Sequence, residues 1–300
     1  MQSNPSPYQS LLYLAGMKGW KKYLLIAAVA LLLIPLGDWL KSFFYFRACN
    51  DEKQFEIQHL GTFRNPLISE SSGLCSDGRG NYLTMNDDSD PCLYRIGPKG
   101  EDYGNLCLSE SNRDWEEICR APDGRIFVGD FGNNLNFSKD LLILIIHPGK
   151  VDKAEKLLFS YEDQQDFPPL HPLSQDFDCE AMVYDRDSLW LFTKNKFGER
   201  CNMYVLPARK GTFIARKSGE LSLNGKVTSA SLRNDGKELA LLVYRKIYFF
   251  SLRNGLRQLA SPDICLPAPQ VKQSEAICYI SKDSLLLSNE QGNLYLIKRK

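Results

Sequence analysis

Histidine is scarce in this chain. There are three, His59, His147 and His171, and they lie far apart. Chemistry built on a histidine cluster has no basis here. Neither sign of charge is in surplus, since 37 basic residues face 36 acidic ones. A nucleic-acid binder usually carries a basic surplus or stripe, so no nucleic-acid partner is expected. Long apolar runs are also few. The one clear run, Tyr23–Leu36, is short for a helix that must cross a membrane, which needs about 20 residues.

That run still shapes the N-terminus. Lys18, Lys21 and Lys22 precede it, Gly37 and Asp38 break it, and Phe43–Phe46 resumes it. Trp39, Phe43, Phe44 and Tyr45 read as an interfacial aromatic belt. No small-x-small cleavage site follows, which favours an uncleaved signal-anchor over a cleaved signal peptide. A lipid anchor on Cys49 is a third option, with a poor lipobox before it. The expected order is a cytoplasmic segment over 1–22, a transmembrane helix over 23–46, a linker over 47–54 and a folded domain over 55–300. The lysines place the N-terminus in the cytoplasm and the domain on the periplasmic or extracellular side.

Nine cysteines is an odd number, so no scheme of internal disulfides uses them all. Cys75, Cys119 and Cys278 fall in apolar strand positions and read as buried thiols. Cys92 and Cys107 flank a Gly-Pro-Lys-Gly turn at equal distance, so they can face each other across a hairpin.

The stretch "NRDWEEICRAPDGRIFVGDFGNN", Asn112–Asn134, holds the main structural signal. It has an acidic start, an apolar strand, a Gly/Asp turn, a second apolar strand and a polar end. The same shape recurs from Glu70, Asp178, Thr228 and Ser274. The turns fall at Asp77-Gly78, Asp123-Gly124, Arg186-Asp187, Asp235-Gly236 and Lys282-Asp283. Such turns join antiparallel strands. Repeats of this length, filled with short strands, indicate propeller blades of four strands. Third strands are expected at Cys92–Ile96, Leu141–His147, Met203–Pro207, Ile247–Leu252 and Leu294–Lys298. Fourth strands are expected at Tyr103–Leu108, Lys156–Tyr161, Phe213–Leu221 and Leu256–Ala260. The last repeat lacks its fourth strand, and Phe55–Phe63 is a spare strand that can supply it. The expectation is an all-β, five-bladed propeller closed by an N-terminal strand, with six blades as the alternative.

The series "SSGL", "TMNDDSDP", "NRDWEEI", "FVGDFGNN", "CEAM" and "LFTKN" resembles that of a group of uncharacterised bacterial β-propeller proteins. Their patterns run SGL, NDSG, DWEDI, VGDIGDN, EAL and TK, in that order. The resemblance covers Leu67–Asn195 and implies a propeller without a settled activity. Phytase-like and gluconolactonase-like propellers are more distant, and their characteristic site residues are not matched. The chain departs from the pattern at Asp90, where glycine is usual, and in an insertion at Asp163–Phe177.

Aligning the repeats puts Ser72, Glu116, Glu180, Ala230 and Glu275 at one inward position of the innermost strands. Like charges that converge repel, and burial adds a desolvation cost. Glu116, Glu180 and Glu275 are therefore the candidate metal ligands. Oxygen ligands without His or Cys suit calcium or magnesium rather than zinc. The plainer reading has the same glutamates accepting backbone N–H bonds at strand starts. Loops on the same face carry Asn86, Asp87, Asp130, Lys194, Asn289 and Glu290. Loops between repeats add Arg113, Asp114 and Asp178. Together they form the candidate ligand-binding set. Trp115 and Trp190 read as core. Two functions are carried forward. One is a membrane-anchored module that binds a protein or a small polar ligand, with a divalent cation in an acidic funnel. The other is a metal-assisted hydrolase using the same funnel, for which no nucleophile and base can be paired.

Overall fold

Antiparallel hairpins build most of the described residues. The computed structural model describes residues 51–300, apart from 172, 173, 175, 195–199, 260 and 272. The expected anchor over 23–46 lies outside the described residues. The first strand is β1 (Phe55–Thr62). Next come β2 (Ser71–Ser76), β3 (Tyr82–Asn86), β4 (Cys92–Ile96) and β5 (Asp102–Cys107). A second meander has β6 (Trp115–Arg120), β7 (Ile126–Asp130), β8 (Leu141–His147) and β9 (Lys150–Tyr161). A third has β10 (Asp178–Asp185), β11 (Ser188–Lys194), β12 (Arg200–Pro207) and β13 (Gly211–Ser222). A fourth has β14 (Val227–Leu232), β15 (Glu238–Val243), β16 (Lys246–Ser251) and β17 (Ile264–Pro267). The chain ends with β18 (Ser274–Ser281), β19 (Ser284–Asn289) and β20 (Asn293–Arg299).

The turns form for local reasons. The carboxylates of Asp77, Asp123 and Asp235 accept the N–H groups of Arg79, Arg125 and Lys237, two residues on, at 2.7, 3.0 and 3.0 Å. These are Asx turns. Arg186 and Asp187 make a two-residue turn with φ of 47° and 59°, the left-handed pair that suits the twist of a hairpin.

The spare strand pairs as expected. β1 runs antiparallel to β20, from Phe55 opposite Arg299 to Thr62 opposite Asn293. Phe55 stacks on Phe249 with centroids 5.0 Å apart, and the Arg299 guanidinium lies over both rings. The first strands of the meanders touch in a closed cycle: β2 meets β6, β6 meets β10, β10 meets β14, β14 meets β18, and β18 meets β2. The apolar faces of adjacent sheets bury the core between them. Trp115 is fully buried there, and Trp190 packs among Phe192, Leu221 and Phe250.

Two features differ from the expectation. The strand expected at Leu256–Ala260 is a short 3-10 turn at Leu256–Gln258, and the fourth strand is β17 instead. The turn buries Leu256, so its apolar signal comes from packing rather than pairing. The second difference is that β9 and β13 pair in parallel, Gly211 opposite Leu157 through Ala215 opposite Tyr161. This joins two meanders into one eight-stranded sheet.

Cys92 and Cys107 form the expected disulfide, with Cα atoms 3.9 Å apart. Cys265 is also disulfide-bonded. Cys75, Cys119, Cys179, Cys201 and Cys278 are buried free thiols.

Candidate functional site

Each first strand carries a bulge near its start. The residue left out of register is Gly73 in β2, Glu116 in β6, Glu180 in β10, Thr228 in β14 and Glu275 in β18. A bulge re-aims one side chain, and here it turns three glutamates to the same end of the strands. The expected partners Ser72 and Ala230 are not the bulged residues. The hairpin loops differ in length. Two residues separate the paired Asp185 and Ser188, whereas six separate the paired Leu232 and Leu239. Alignment on the turns therefore slips.

The glutamates open into a cavity of about 180 Å³. Glu70, Asp87, Glu116, Glu180, Glu275 and Glu290 line it, with Lys194 the one basic residue among the described lining. Ser71, Ser72, Asn134 and Tyr244 complete the wall. Ligand oxygens of Glu116, Asp178 and Glu180 lie within 4.8 Å of one another, all buried. Lys194 Nζ pairs with Glu180 Oε1 and lies 4.0 Å from Asp178 Oδ2. Burial works against the Lys194 charge, but Glu180 and Asp178 outweigh it and raise its pKa. The ammonium is thus the built-in counter-ion of that pair.

Glu116 has no such partner among the described residues. It is 8 % exposed, faces the cavity and accepts no side-chain hydrogen bond or ion pair from them. Burial first, then Glu180, Asp114 and Asp178, push its pKa well above the carboxylate range. Glu275 Oε1 and Asp87 Oδ1 are buried and likewise lack a donor. Burial and then Glu290 push Glu275 to about 8. Burial and then Glu70 push Asp87 to about 6. Burial raises Tyr244 too, with Glu275 next.

The expected ligand-binding residues divide into two groups. Asp87, Lys194 and Glu290 line the cavity, and Asp114 and Asp178 act on Glu116 from behind it. Burial, then Asp178 and Asp130, push Asp114 to about 6. The others hold loops. Asn86 accepts the Ser69 and Glu70 N–H groups and donates to Leu67 O at 2.8 Å. Asp130 pairs with Arg113 Nε at 2.7 Å and accepts the N–H groups of Arg113 and Asp114. Asn289 accepts the Asn293 N–H at 2.9 Å and donates to Val271 O.

The sequence reading missed Glu117. This side chain is fully buried on the axis side of β6. Its Oε2 accepts the Ser229 hydroxyl at 2.6 Å and the Ala230 N–H at 3.0 Å, both from β14. Its Oε1 accepts the Ile118 N–H at 3.0 Å, and the Leu74 N–H of β2 also bonds to the carboxylate. Ser229 Oγ in turn accepts the Ile277 N–H of β18. One carboxylate thus ties strands that are not sequence neighbours. A Cβ on Gly73 would meet Glu117 Oε1 at 3.0 Å and Ile118 N at 2.7 Å, so glycine is needed there. The backbone-accepting role expected of Glu116, Glu180 and Glu275 is filled by Glu117.

No family model matches the chain, and no curated protein is significantly similar to it. Among solved structures it is similar to virginiamycin B lyase from Staphylococcus aureus, at 14 % identity and a TM-score of 0.39, over 80 % of this chain and 69 % of that one. It is similar to the aldose sugar dehydrogenase of Streptomyces coelicolor at 10 % identity and a TM-score of 0.49, over 82 % and 98 %. A streptogramin B lyase aligns at 10 % identity and a TM-score of 0.44, over 84 % and 100 %. All three are propeller-type proteins. Similarity at this level assigns no activity.

Proposed function

We propose that the chain is a five-bladed propeller, held to a membrane by residues 23–46 and displayed on the periplasmic or extracellular side. It acts as a binding module whose acidic axial cavity takes a divalent cation, calcium by preference. In this reading each meander is one blade, and β1 completes the last. A protein or small polar ligand is then met at the cavity mouth.

The observation that carries the reading is Glu116. A carboxylate more than nine-tenths buried, with no donor among the described residues and with two other carboxyl groups in reach, needs either a proton or a cation. Its neighbours Glu180, Asp178 and Glu275 offer only oxygen ligands, which suits calcium. Among the described residues Lys194 pairs with Glu180 and Asp178 and makes no ion pair with Glu116 or Glu275.

The hydrolase alternative has less support. Among the described residues lining the cavity there is no histidine or cysteine. The two lining serines are already engaged. Ser71 Oγ shares hydrogen bonds with Thr84 and Ser288, and Ser72 Oγ donates to Glu116 O at 2.7 Å. The test is thermal unfolding in EDTA and in millimolar calcium. Stabilisation by calcium that Glu116→Gln weakens supports the reading. No shift with calcium, magnesium or manganese removes it.

A further inference from the structure

A second cavity, of about 200 Å³, lies at the other end of the same strands. It shares no lining residue with the acidic one. Cys75 of β2, Cys119 of β6 and Cys278 of β18 all face it. These strands are neighbours in the cycle, with β2 touching both of the others. The three thiols are free, and they are 6 %, 9 % and 6 % exposed. Cys278 donates to Tyr279 O at 3.4 Å. The wall around them is mixed: Leu74, Ile118 and Val183 are apolar, while Ser76, Ser231, Asn234 and Arg120 bring polar groups.

We propose that this cavity is a binding site for a thiophilic monovalent cation of the Cu(I) and Ag(I) class, held by Cys75 together with Cys278 or Cys119. Thiolate is the ligand such soft ions select, whereas the carboxylates at the other end suit hard ions. Among the described residues, the three sulfurs do not all lie within 4.8 Å of one another. That spread disfavours the closed tetrahedral shell of a structural zinc; a soft monovalent ion asks for fewer sulfurs. Burial first, then Cys278 and Cys119, raise the Cys75 thiol, and Arg120 opposes them. The thiols therefore stay protonated and unreactive until a metal displaces the protons. Binding by two thiols releases two protons, changes no oxidation state and leaves one net negative charge, which Arg120 can balance.

The probe is Ag(I), added to the full chain with its disulfides intact. Calorimetry should give one tight equivalent, with two protons released per ion. Cys75→Ala should weaken binding by on the order of 100-fold, because it removes the sulfur common to both pairs. Cys119→Ala and Cys278→Ala should each weaken it less, and the double variant should match Cys75→Ala. Cys179→Ala and Cys201→Ala, buried elsewhere, should bind as the parent does. Silver binding unchanged in Cys75→Ala overturns the proposal, and so does zinc binding as tightly as silver. Should Cys75→Ala fail to fold, proton release from the parent chain still decides, and fewer than two protons per ion sinks the idea.

Discussion

The Glu117 carboxylate accepts the Ser229 hydroxyl at 2.6 Å, from β6 to β14, two strands that do not follow each other in the cycle. With the Ala230, Ile118 and Leu74 N–H groups, it meets four donors in a site that water does not reach. Glu117→Ala would strand those donors. Each buried donor left without a partner costs about 1–3 kcal/mol. The expected loss exceeds about 3 kcal/mol, or a Tm lower by at least about 6 °C for a domain of this size. Glu117→Gln keeps the shape but turns an NH2 group towards donors, so it should fall between parent and Ala. A Glu117→Ala protein that melts with the parent would show that the axial bonds contribute nothing.

Stability should fall as pH rises from about 5 to about 8, because folding raises several carboxyl pKa values. Asp87 and Asp114 sit at about 6, and Glu275 at about 8. Burial is the largest cause for each. A raised carboxyl binds more protons in the folded state, so its contribution is complete below the unfolded pKa and lost as pH passes the folded one. The carboxylates held low, such as Asp77, Asp123 and Asp235, titrate below this window. Unfolding scans across the window check the slope. A Tm that rises from pH 5 to 8 without metal would contradict it. Calcium should flatten the slope, since it binds the ionised carboxylates and displaces their protons.

Much of this fold is legible in the sequence because hairpin turns and alternating strands are local signals. The Asp-Gly turns, the pairing of β1 with β20 and the Cys92–Cys107 bridge all follow from spacing. The parallel contact of β9 with β13 does not, since nothing local marks which outer strands will meet. Glu116 and Glu117 show the limit at the site. They are adjacent, and only the bulge decides that one enters the cavity while the other enters the axis. A signal for Glu117 was present nonetheless. The residues after the bulges of β10, β14 and β18 are Ala181, Ser229 and Ala276, all small, beside a single large carboxylate. Asn86, Arg113, Asp130 and Asn289 look like ligands in a sequence because loop-holding and ligand-holding use the same polar groups.

Removing β1 should destabilise the whole domain. β1 covers the β20 edge and places Phe55 against Phe249. An uncovered edge also invites association. Chains starting at Asn50 and at Arg64 should differ in Tm, with the shorter one lower and prone to aggregate. Phe55→Ala alone should cost about 3 kcal/mol. Equal melting of the two chains would show that β1 is dispensable and would undo the five-blade reading.

The orientation proposed for the membrane can be read on intact cells. A protease that cannot cross the membrane should cut the domain following residue 54, while residues before Lys18 stay protected. Protection of the domain would invert the orientation. A mature chain beginning after Gly37 would replace the anchor by a cleaved signal peptide.

Glu116 and Glu180 line one cavity but should respond in opposite ways to the same substitution. Glu180 is paired with the buried Lys194, so Glu180→Gln leaves an ammonium with weaker compensation. Breaking a buried pair by removing one partner is strongly destabilising, by about 3–5 kcal/mol for full removal, and Gln should cost a part of that. Glu116 has no donor to lose among the described residues. Without metal its carboxyl is already pushed towards the neutral form, and Glu116→Gln puts a neutral amide of the same shape in its place, so the protein should melt with the parent or above it. With calcium the order changes. A cation that binds only the folded state adds about 2.7 kcal/mol at a hundredfold excess over its Kd. Glu116→Gln should forfeit much of that gain, because a neutral amide oxygen holds calcium less strongly than a carboxylate. The measurement is a set of melts of parent, Glu116→Gln and Glu180→Gln, in EDTA and in millimolar calcium. Equal losses in EDTA for both variants would mean that Glu116 holds the fold as Glu180 does, and the cation reading would then lose the residue on which it stands.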